Sequence, residues 1–171
     1  MFCSIVLCSA TSEMLPEMQH KTDAAFDLKC AEDFRLDNKV CLIPTGTKIK
    51  LPVGYHADVR PRSGIASKLG TLLQIANTPG TIDSSYRGEI KIIVNVIFHR
   101  DVEKMFPRFV IPKGTRIAQL LISKNVTPVR SICRFFNPKF KLIVSPDVYD
   151  HFETQYSSDR GSNGFGSSGL S

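Results

Sequence analysis

The sequence predicts an all-β fold, a sandwich or jelly roll with at most one or two short helices. Three observations predict it. The middle of the chain is made of short apolar and β-branched stretches, Pro and Gly interrupt these stretches every few residues, and almost no segment has helical spacing. At 171 residues the chain is long enough to bury the core of one such domain.

The predicted strands follow one another along the chain. They lie in "KVCLIPTGTKIKLPVGYHADVRPRSG", "TLLQIAN", "EIKIIVNVIFHR" and "RFVIPKGTRIAQLLISK". Residues 90–98 are nearly all apolar, which predicts a strand buried on both faces. Only "SGIASKLG", residues 63–70, predicts a short helix in this region.

A long connection follows Lys124 and leads to the C-terminal tail. Inside it "KFKLIVS" predicts a strand, and Ser145 followed by Pro146 predicts the N-cap and first residue of a helix. The connection has too many apolar residues to leave in water, so we expect them to pack on the barrel or on a neighbouring subunit. They are Ile132, Phe135, Phe136, Phe140, Ile143 and Val144.

Composition and charge narrow the classes of function. No apolar run approaches the roughly 20 residues of a membrane span, and "MFCSIVLCSA" lacks the basic start of a signal peptide. We therefore expect an intracellular protein, cytoplasmic or nuclear, without a membrane partner. The net charge of +6 suits a polyanion, and a nucleotide would be served as well as nucleic acid, so composition leaves the partner open. Because Lys and Arg are spread along the chain without interleaved aromatic residues, we do not expect direct nucleic-acid binding. The five cysteines have no C-x-x-C spacing and predict reduced, mostly buried thiols.

Four internal segments carry polar groups suited to phosphate chemistry. "NTPGTIDSSYRGEIKI" predicts a β-hairpin with Asp83 and Tyr86 near one arm. "PRSG" offers a guanidinium, a hydroxyl and a glycine amide that suit phosphate oxygens. "GTRIAQLLI" holds a single amide, and "DAAFDL" has two carboxylates four residues apart. Each segment alone also fits a structural role: a solvated Asp, a polar turn or a buried structural Gln.

Together with the tail "RGSNGFGSSG", these segments stand in the order of the five motifs of the trimeric deoxyuridine triphosphatases (dUTPases), which the chain resembles from about residue 23 to 169. The resemblance implies a distorted jelly-roll barrel over residues 1–158, with an insert at about 125–158 and a mobile C-terminal arm at 159–171. It also implies a homotrimer that uses Mg²⁺ to hydrolyse dUTP to dUMP and pyrophosphate. That reaction keeps uracil out of DNA and supplies dUMP for thymidylate synthesis.

The resemblance assigns the third segment to the base, the sugar and the attacking water. Asp83 is implied as the catalytic residue that orients and deprotonates the water attacking the α-phosphate, a task for which one carboxylate suffices. Tyr86 would pack on the deoxyribose and leave no room for a 2′-hydroxyl. The residues implied to read uracil, partly through the backbone, are Asn77, Gly80, Thr81, Ile82 and Lys91.

The other segments are implied to hold the phosphates and to cover the substrate. Asp27 would reach magnesium through water, and Gln119 would lie near the triphosphate. The matching phosphate-binding residues of the second motif are Arg62, Ser63 and Gly64. The arm residues are Arg160, Phe165, Gly166 and Ser167. In the arm, Phe165 would stack on uracil and Arg160 would reach the terminal phosphate, while the glycines let the tail close and open.

The chain departs from the family pattern in two places. Asn163 and Ser168 replace a glycine and a threonine of the tail motif, and both keep its function possible, since Asn tolerates left-handed backbone and Ser keeps the hydroxyl. The connection between Gln119 and Arg160 is also longer than usual. The resemblance implies an arm that crosses to a neighbouring subunit and closes a site there. The insert would therefore either redirect the arm, for example to its own subunit's pocket, or bulge outward and leave this crossing between subunits unchanged.

Two other functions stay open from the sequence. One is a dCTP deaminase of the same fold, against which "IDSSYRG" together with "RGSNGFGSSG" argues. The other is a nucleotide-gated binding module, in which the insert at 125–158 docks a protein partner.

Overall fold

Two β-sheets form the barrel in this computed structural model, which describes residues 3–36, 40–70, 73–97, 110–125 and 138–164. The strands are β1 (Ser4–Ser9), β2 (Ala25–Lys29), β3 (Phe34–Arg35), β4 (Val40–Lys50), β5 (Tyr55–Pro61), β6 (Leu73–Ile75), β7 (Gly80–Ile82), β8 (Glu89–Val96), β9 (Val110–Ile111), β10 (Arg116–Lys124) and β11 (Lys139–Val144). The helices are a 3-10 turn (Ser12–Met14), α1 (Ser63–Leu69), α2 (Pro146–Asp150) and α3 (Phe152–Gln155). The predicted all-β jelly roll is confirmed.

The strands pair mostly with partners that are distant in sequence. One sheet has the order β11-β1-β4-β8-β6, the second has the order β2-β10-β5-β7, and β3 pairs with β9. The pairs are antiparallel except β1 with β11, which run parallel. This pairing brings "DAAFDL" on β2, "GTRIAQLLI" on β10 and the start of "PRSG" on β5 into one sheet.

The core lies between the two sheets and follows from alternation along the strands. In β8, Ile90, Ile92, Val94 and Val96 are buried, whereas Lys91 and Asn95 are exposed. Such alternation puts one face of a strand on the core and the other outside. The prediction of a strand buried on both faces was therefore wrong, because the apolar residue between the two exposed positions, Ile93, lines a surface pocket instead.

The segment around Asn77 is a crossing between sheets and not the predicted hairpin. Strand β6 before it pairs with β8, and strand β7 after it pairs with β5 in the other sheet. Turn residues in "NTPGT" indicated a reversal, but they did not indicate which strands pair on either side. The N–H of Ala76 still donates to the carbonyl of Ile93 of β8 at 2.9 Å, and residues 77–79 then lie outside the strands.

The insert folds onto the barrel where the structure describes it. Its predicted strand is β11, and its predicted helix starts as expected: Ser145 Oγ accepts a hydrogen bond from the backbone N–H of Val148 at 3.3 Å, with Pro146 in the first turn. Ile143 packs against the cluster of Val6 and Phe152. The predicted packing is not met within this chain by Phe140 and Val144, which stay about half exposed, although the Phe140 ring lies 5.8 Å from that of Phe26. The predictions for Ile132, Phe135 and Phe136 fall outside the described residues.

The cysteines agree only in part with the prediction of reduced thiols. Cys8, Cys30 and Cys41 are free and buried, and burial raises the pKa of the Cys8 thiol to about 11. Cys3, however, takes part in a disulfide. Among the described helices, none has the length and apolar character required to cross a membrane.

Candidate active site

A cleft at one end of β7 and β8 brings the third segment and the arm together. We call it the nucleotide-sized pocket. Its walls include residues from β5, the crossing, β7, β8 and the arm. Eight of the residues singled out from the sequence line it: Asn77, Gly80, Thr81, Ile82, Asp83, Tyr86, Lys91 and Arg160.

The crossing is closely packed at Gly80. A Cβ atom at this position would lie 3.2 Å from both Asn77 Nδ2 and Asn77 O, which is tighter than nine in ten real Cβ contacts. Glycine therefore allows the Asn77 amide to fold back over the start of β7. The Asn77 amide on this side of the pocket can both donate and accept hydrogen bonds.

Thr81 is held from behind by a buried carboxylate. Asp58 is directly opposite Thr81 in the β5–β7 ladder, and Asp58 Oδ1 accepts a 3.0 Å hydrogen bond from Thr81 Oγ1. The other oxygen accepts from Arg60 Nη2 at 3.1 Å, so the buried charge is compensated. These contacts fix β7 on the second sheet.

Tyr86 forms a wall of the pocket, and its ring is oriented by contacts at the hydroxyl end. Its hydroxyl donates a 2.8 Å hydrogen bond to the backbone carbonyl of Glu89. A Cβ at Gly88 would lie 2.5 Å from the hydroxyl oxygen, so a side chain there would displace the ring. Burial, with the Glu89 charge, raises the pKa of Tyr86 and keeps it neutral.

Asp83 is the exposed acid of the pocket and is paired with the arm. Its side chain is 57% exposed, and its Oδ2 lies 2.5 Å from Arg160 Nη1. The guanidinium also lies over the ring of Tyr86, 5.8 Å from its centroid. A carboxylate with this exposure can take a proton from a bound water once the arginine turns to another anion.

A second cluster of charged residues lies on β2, β10 and the end of β5. Asp27 is only 4% exposed, and its Oδ1 lies 2.7 Å from Arg62 Nε. Its Oδ2 lies 3.5 Å from Arg116 Nη1 and lacks a hydrogen-bond partner among the described residues. Arg62 also donates to the carbonyl of Arg116 at 3.2 Å. The cluster carries two arginines around one buried carboxylate.

The remaining phosphate-site candidates join this second cluster. Gln119 faces Asp27 in the β2–β10 ladder and Arg60 in the β10–β5 ladder. Ser63 and Gly64 follow Arg62 at the start of α1 and are exposed. None of the second-cluster residues lines the nucleotide-sized pocket in the described part of the chain. The candidate residues therefore form two groups.

The arm is described as far as Gly164, and this part lies against its own chain's pocket. Gly164 lines the pocket beside Tyr86, with a Cβ position only 3.1 Å from the ring. The other arm residues singled out from the sequence, Phe165, Gly166 and Ser167, lie outside the described residues.

Sequence reasoning missed several residues of both groups. Arg87 follows Tyr86 directly, and its backbone N–H donates to the carbonyl of Gly161 in the arm. Glu89 stands three residues after Tyr86 and accepts from its hydroxyl, and Arg116 stands three residues before Gln119 and pairs with Asp27. Their positions inside the third and fourth segments were visible in the sequence. Their contacts depend on strand register and on the arm, which the sequence alone did not supply.

The side chains available as ligands decide whether a metal ion fits at this site. The described residues contain no group of three or more His, Cys, Asp or Glu side chains able to hold an ion directly. They do contain a buried acceptor without a hydrogen-bond partner, Asp27 Oδ2, beside the two arginines. That arrangement fits an ion such as Mg²⁺ held mainly by substrate phosphates and water.

Known proteins match the chain over most of its length. A family model described as dUTPase matches residues 11–138. The deoxyuridine 5'-triphosphate nucleotidohydrolase of Rickettsia akari is 40% identical over 162 residues, which cover 93% of this chain and 90% of the relative.

Solved structures match the fold as well. A mutant of the Staphylococcus bacteriophage 80alpha dUTPase superposes with a TM-score of 0.61 at 28% identity, covering 75% of this chain and 94% of that one. Another mutant of the same phage protein, solved with dUpNHpp, has a TM-score of 0.57 at 27% identity and covers 98% of this chain and 99% of that one.

Proposed function

This chain belongs to the dUTPase family, and on that premise we propose that it hydrolyses dUTP to dUMP and pyrophosphate at a site that several copies of the chain complete together. The activity is that of a dUTP diphosphatase, which keeps uracil out of DNA and supplies dUMP for thymidylate synthesis. The observation that carries the assignment is the pocket in which the crossing, Asp83, Tyr86 and Arg160 meet. An intracellular location, cytoplasmic or nuclear, stays a prediction.

The crossing reads the base. Uracil binds against the backbone of residues 80–82 and the amide of Asn77, whose donors and acceptors match uracil and not cytosine. The close approach of Asn77 to Gly80, which leaves little room for a Cβ at position 80, supports this role, because a compact crossing has little space for the 5-methyl group of thymine. Lys91, which lines the same pocket, adds a backbone contact to the base.

Tyr86 selects the sugar. The ring is fixed by its hydrogen bond to the Glu89 carbonyl and by Gly88, so it cannot swing away from a bulkier ribose. A 2′-hydroxyl would meet the ring face without a hydrogen-bond partner, and burying such a group costs about 1–3 kcal/mol. The preference for deoxyribose over ribose follows from this fixed wall.

Asp83 acts as the general base for the attacking water. The water oxygen forms the new bond to the α-phosphorus, its proton passes to the Asp83 carboxylate, and the bond from the α-phosphorus to the bridging oxygen breaks to release pyrophosphate. The ion pair with Arg160 supports this step, because the triphosphate offers the guanidinium a stronger anion and frees the carboxylate.

The second cluster holds the triphosphate. Arg62, Ser63 and Gly64 contact phosphate oxygens, and Gln119 lies beside them. Asp27 would hold Mg²⁺ through a water on Oδ2, which lacks a hydrogen-bond partner among the described residues, and the ion would neutralise charge on the phosphate oxygens. Neutralisation and positioning are the main requirements of phosphoanhydride hydrolysis, since no covalent intermediate is needed.

The active assembly is a homotrimer. In the part of the chain that the structure describes, no residue of the second cluster lines the pocket, so a nucleotide bound there would meet these phosphate donors only from a second copy of the chain. Half-exposed apolar side chains at the barrel edge, such as Phe140 and Leu142, give such an assembly surface to bury. Light scattering should give the mass of three chains, and a fully active monomer would exclude the shared site.

Substrate assays test the proposal. Pyrophosphate release is measured with dUTP, dTTP, dCTP and UTP at equal concentration, with and without Mg²⁺. We expect fast release from dUTP alone and only with the metal. Comparable rates on UTP would contradict the role of Tyr86, and ammonia release from dCTP would reassign the chain to the deaminases.

A further inference from the structure

Arg87 is a buried arginine whose hydrogen bonds join the pocket to the arm. The residue is only 6% exposed. Its Nε donates to the carbonyl of Tyr156 at 2.6 Å, and its Nη1 donates to the carbonyls of Ser84 at 2.8 Å and Tyr86 at 2.7 Å. Burial also lowers the pKa of this guanidinium, which still stays far above neutrality.

Backbone bonds continue this junction along the arm. The backbone N–H of Arg87 donates to the carbonyl of Gly161 at 2.7 Å, and Tyr86 and Gly161 form a parallel bridge. Ser158 Oγ donates to the carbonyl of Ser85 at 2.5 Å and accepts from the N–H of Gly161 at 3.1 Å. Residues 156–161 therefore lie alongside residues 84–87 in one register.

Gly161 is required where the arm passes helix α3. Its φ is +58°, and a Cβ there would meet Glu153 Oε1, the atom that accepts a 3.0 Å hydrogen bond from the N–H of Ser162. Another residue would be strained by this φ and would push the Glu153 carboxylate away from the Ser162 N–H. Glycine therefore preserves the contact between the arm and α3.

Helix α3 is itself anchored to the barrel. Phe152 is fully buried against Val6 and Cys8 of β1. The preceding helix α2 is held too, since Lys48 of β4 donates to the carbonyl of Tyr149 at 2.7 Å and lies 4.4 Å from the centroid of its ring. The chain that leads into the arm is therefore attached to the sheet at both helices.

We propose that Arg87 is a positioning residue that sets the register of the arm on the pocket, so that closure brings Arg160 over the triphosphate. The inference rests on the proposed function of the pocket. Arg87 does not line the pocket itself. It acts through the carbonyls of Ser84 and Tyr86 on the pocket side and the carbonyl of Tyr156 just before the arm. Without the guanidinium, these carbonyls lose their common donor, and the arm loses its alignment with Asp83.

A double-mutant cycle with the arm tests this role. Arg87→Met in the full chain should lower kcat for dUTP by about 100-fold, the usual cost of misplacing a reacting group by about 1 Å, while the affinity for dUMP stays within about twofold. In a chain truncated after Asp159, the same substitution should cause no further loss of kcat. An equal loss in both backgrounds would show that Arg87 supports the pocket alone and would overturn the proposal. Arg35→Met, which changes an exposed arginine on β3, is the matched control.

A fluorescence measurement separates arm closure from catalysis. The chain contains no tryptophan, so Phe165→Trp introduces a single reporter into the arm. Addition of a non-hydrolysable dUTP analogue should shift the emission, and Arg87→Lys in the same chain should reduce the shift at least by half, because an ammonium cannot donate in the fixed directions of the guanidinium fork. Melting curves identify the variants that fold. If Arg87→Met does not fold, Arg87→Lys replaces it in the kinetic experiment. An undiminished shift at saturating analogue would overturn the proposal, whereas failure of the wild-type chain to hydrolyse dUTP would instead overturn the proposed function.

Discussion

The nucleotide-sized pocket and the Asp27 cluster differ in how they are built and in how their charges are satisfied. Most of the pocket comes from one stretch, residues 77–91, to which the arm adds Arg160. The Asp27 cluster is assembled from β2, β5 and β10, which are neighbours only in the sheet. Asp83 in the pocket is mostly exposed, whereas the Asp27 side chain is 5% exposed between two arginines.

This difference separates the tasks of the two groups. An exposed carboxylate with a movable partner can exchange protons with water, so the pocket suits the chemical step. A buried carboxylate fixed by two arginines cannot move far, but it holds the guanidinium groups in place for anions. One group is therefore suited to recognition and bond cleavage, and the other to binding of phosphates.

The largest expected effect comes from the exposed acid. Asp83→Asn should lower kcat by at least about 100-fold, because the amide cannot accept the proton of the attacking water. Affinity for a non-hydrolysable analogue should stay within a few-fold of wild type, as measured by calorimetry. A variant with near-normal turnover would show that Asp83 is not the base.

A somewhat smaller loss of activity is expected when the ion pair between Arg62 and the buried Asp27 is broken. Arg62→Met should lower kcat/KM for dUTP by about 30-fold, equivalent to the 2 kcal/mol or more of a lost charge pair, and should also lower Tm because Asp27 stays buried with one weaker partner. Adding Asp27→Asn to this variant should restore much of the Tm without restoring kcat/KM. Recovery of both would mean that Arg62 serves folding and does not bind phosphate.

The smallest effect is expected at the wall that selects the sugar. Tyr86→Phe removes the hydrogen bond to the Glu89 carbonyl, a loss of about 1 kcal/mol. The ratio of kcat/KM for dUTP to that for UTP should therefore fall by about fivefold. An unchanged ratio would show that the ring is held by packing against Gly88 and Gly164 alone.

The difference between the two groups also explains how much could be predicted from the sequence. The candidate residues in the pocket stand close together in sequence, so a short motif indicated them with their order and spacing. Arg116 had no such signal, since its contact with Asp27 depends on the β2–β10 register and on an irregularity between Arg116 and Ala118. Arg87 was visible next to Tyr86, but its partner Tyr156 lies 69 residues further on.

The errors in the fold prediction have the same origin. The apolar run in β8 predicted burial on both faces because the sequence does not reveal that Ile93 borders a cleft. The turn signals in "NTPGT" predicted a hairpin because they are local, whereas the pairing of β6 with β8 and β7 with β5 is set by the barrel. By contrast, the cap at Ser145 is a local signal with a local outcome and was predicted correctly.

The central claim is that the pocket of one chain works with the Asp27 cluster of another, and subunit complementation tests it most directly. Asp83→Asn and Arg62→Met chains are unfolded together in equal amounts, refolded, and assayed for pyrophosphate release at dUTP concentrations below KM. If the two groups come from different copies, random assembly leaves about one quarter of the sites intact, since each group is unaltered in half of the chains. We therefore predict recovery to about a quarter of wild-type activity, far above either variant alone. Activity equal to the mean of the separately refolded variants would contradict the claim and place the whole site within one chain.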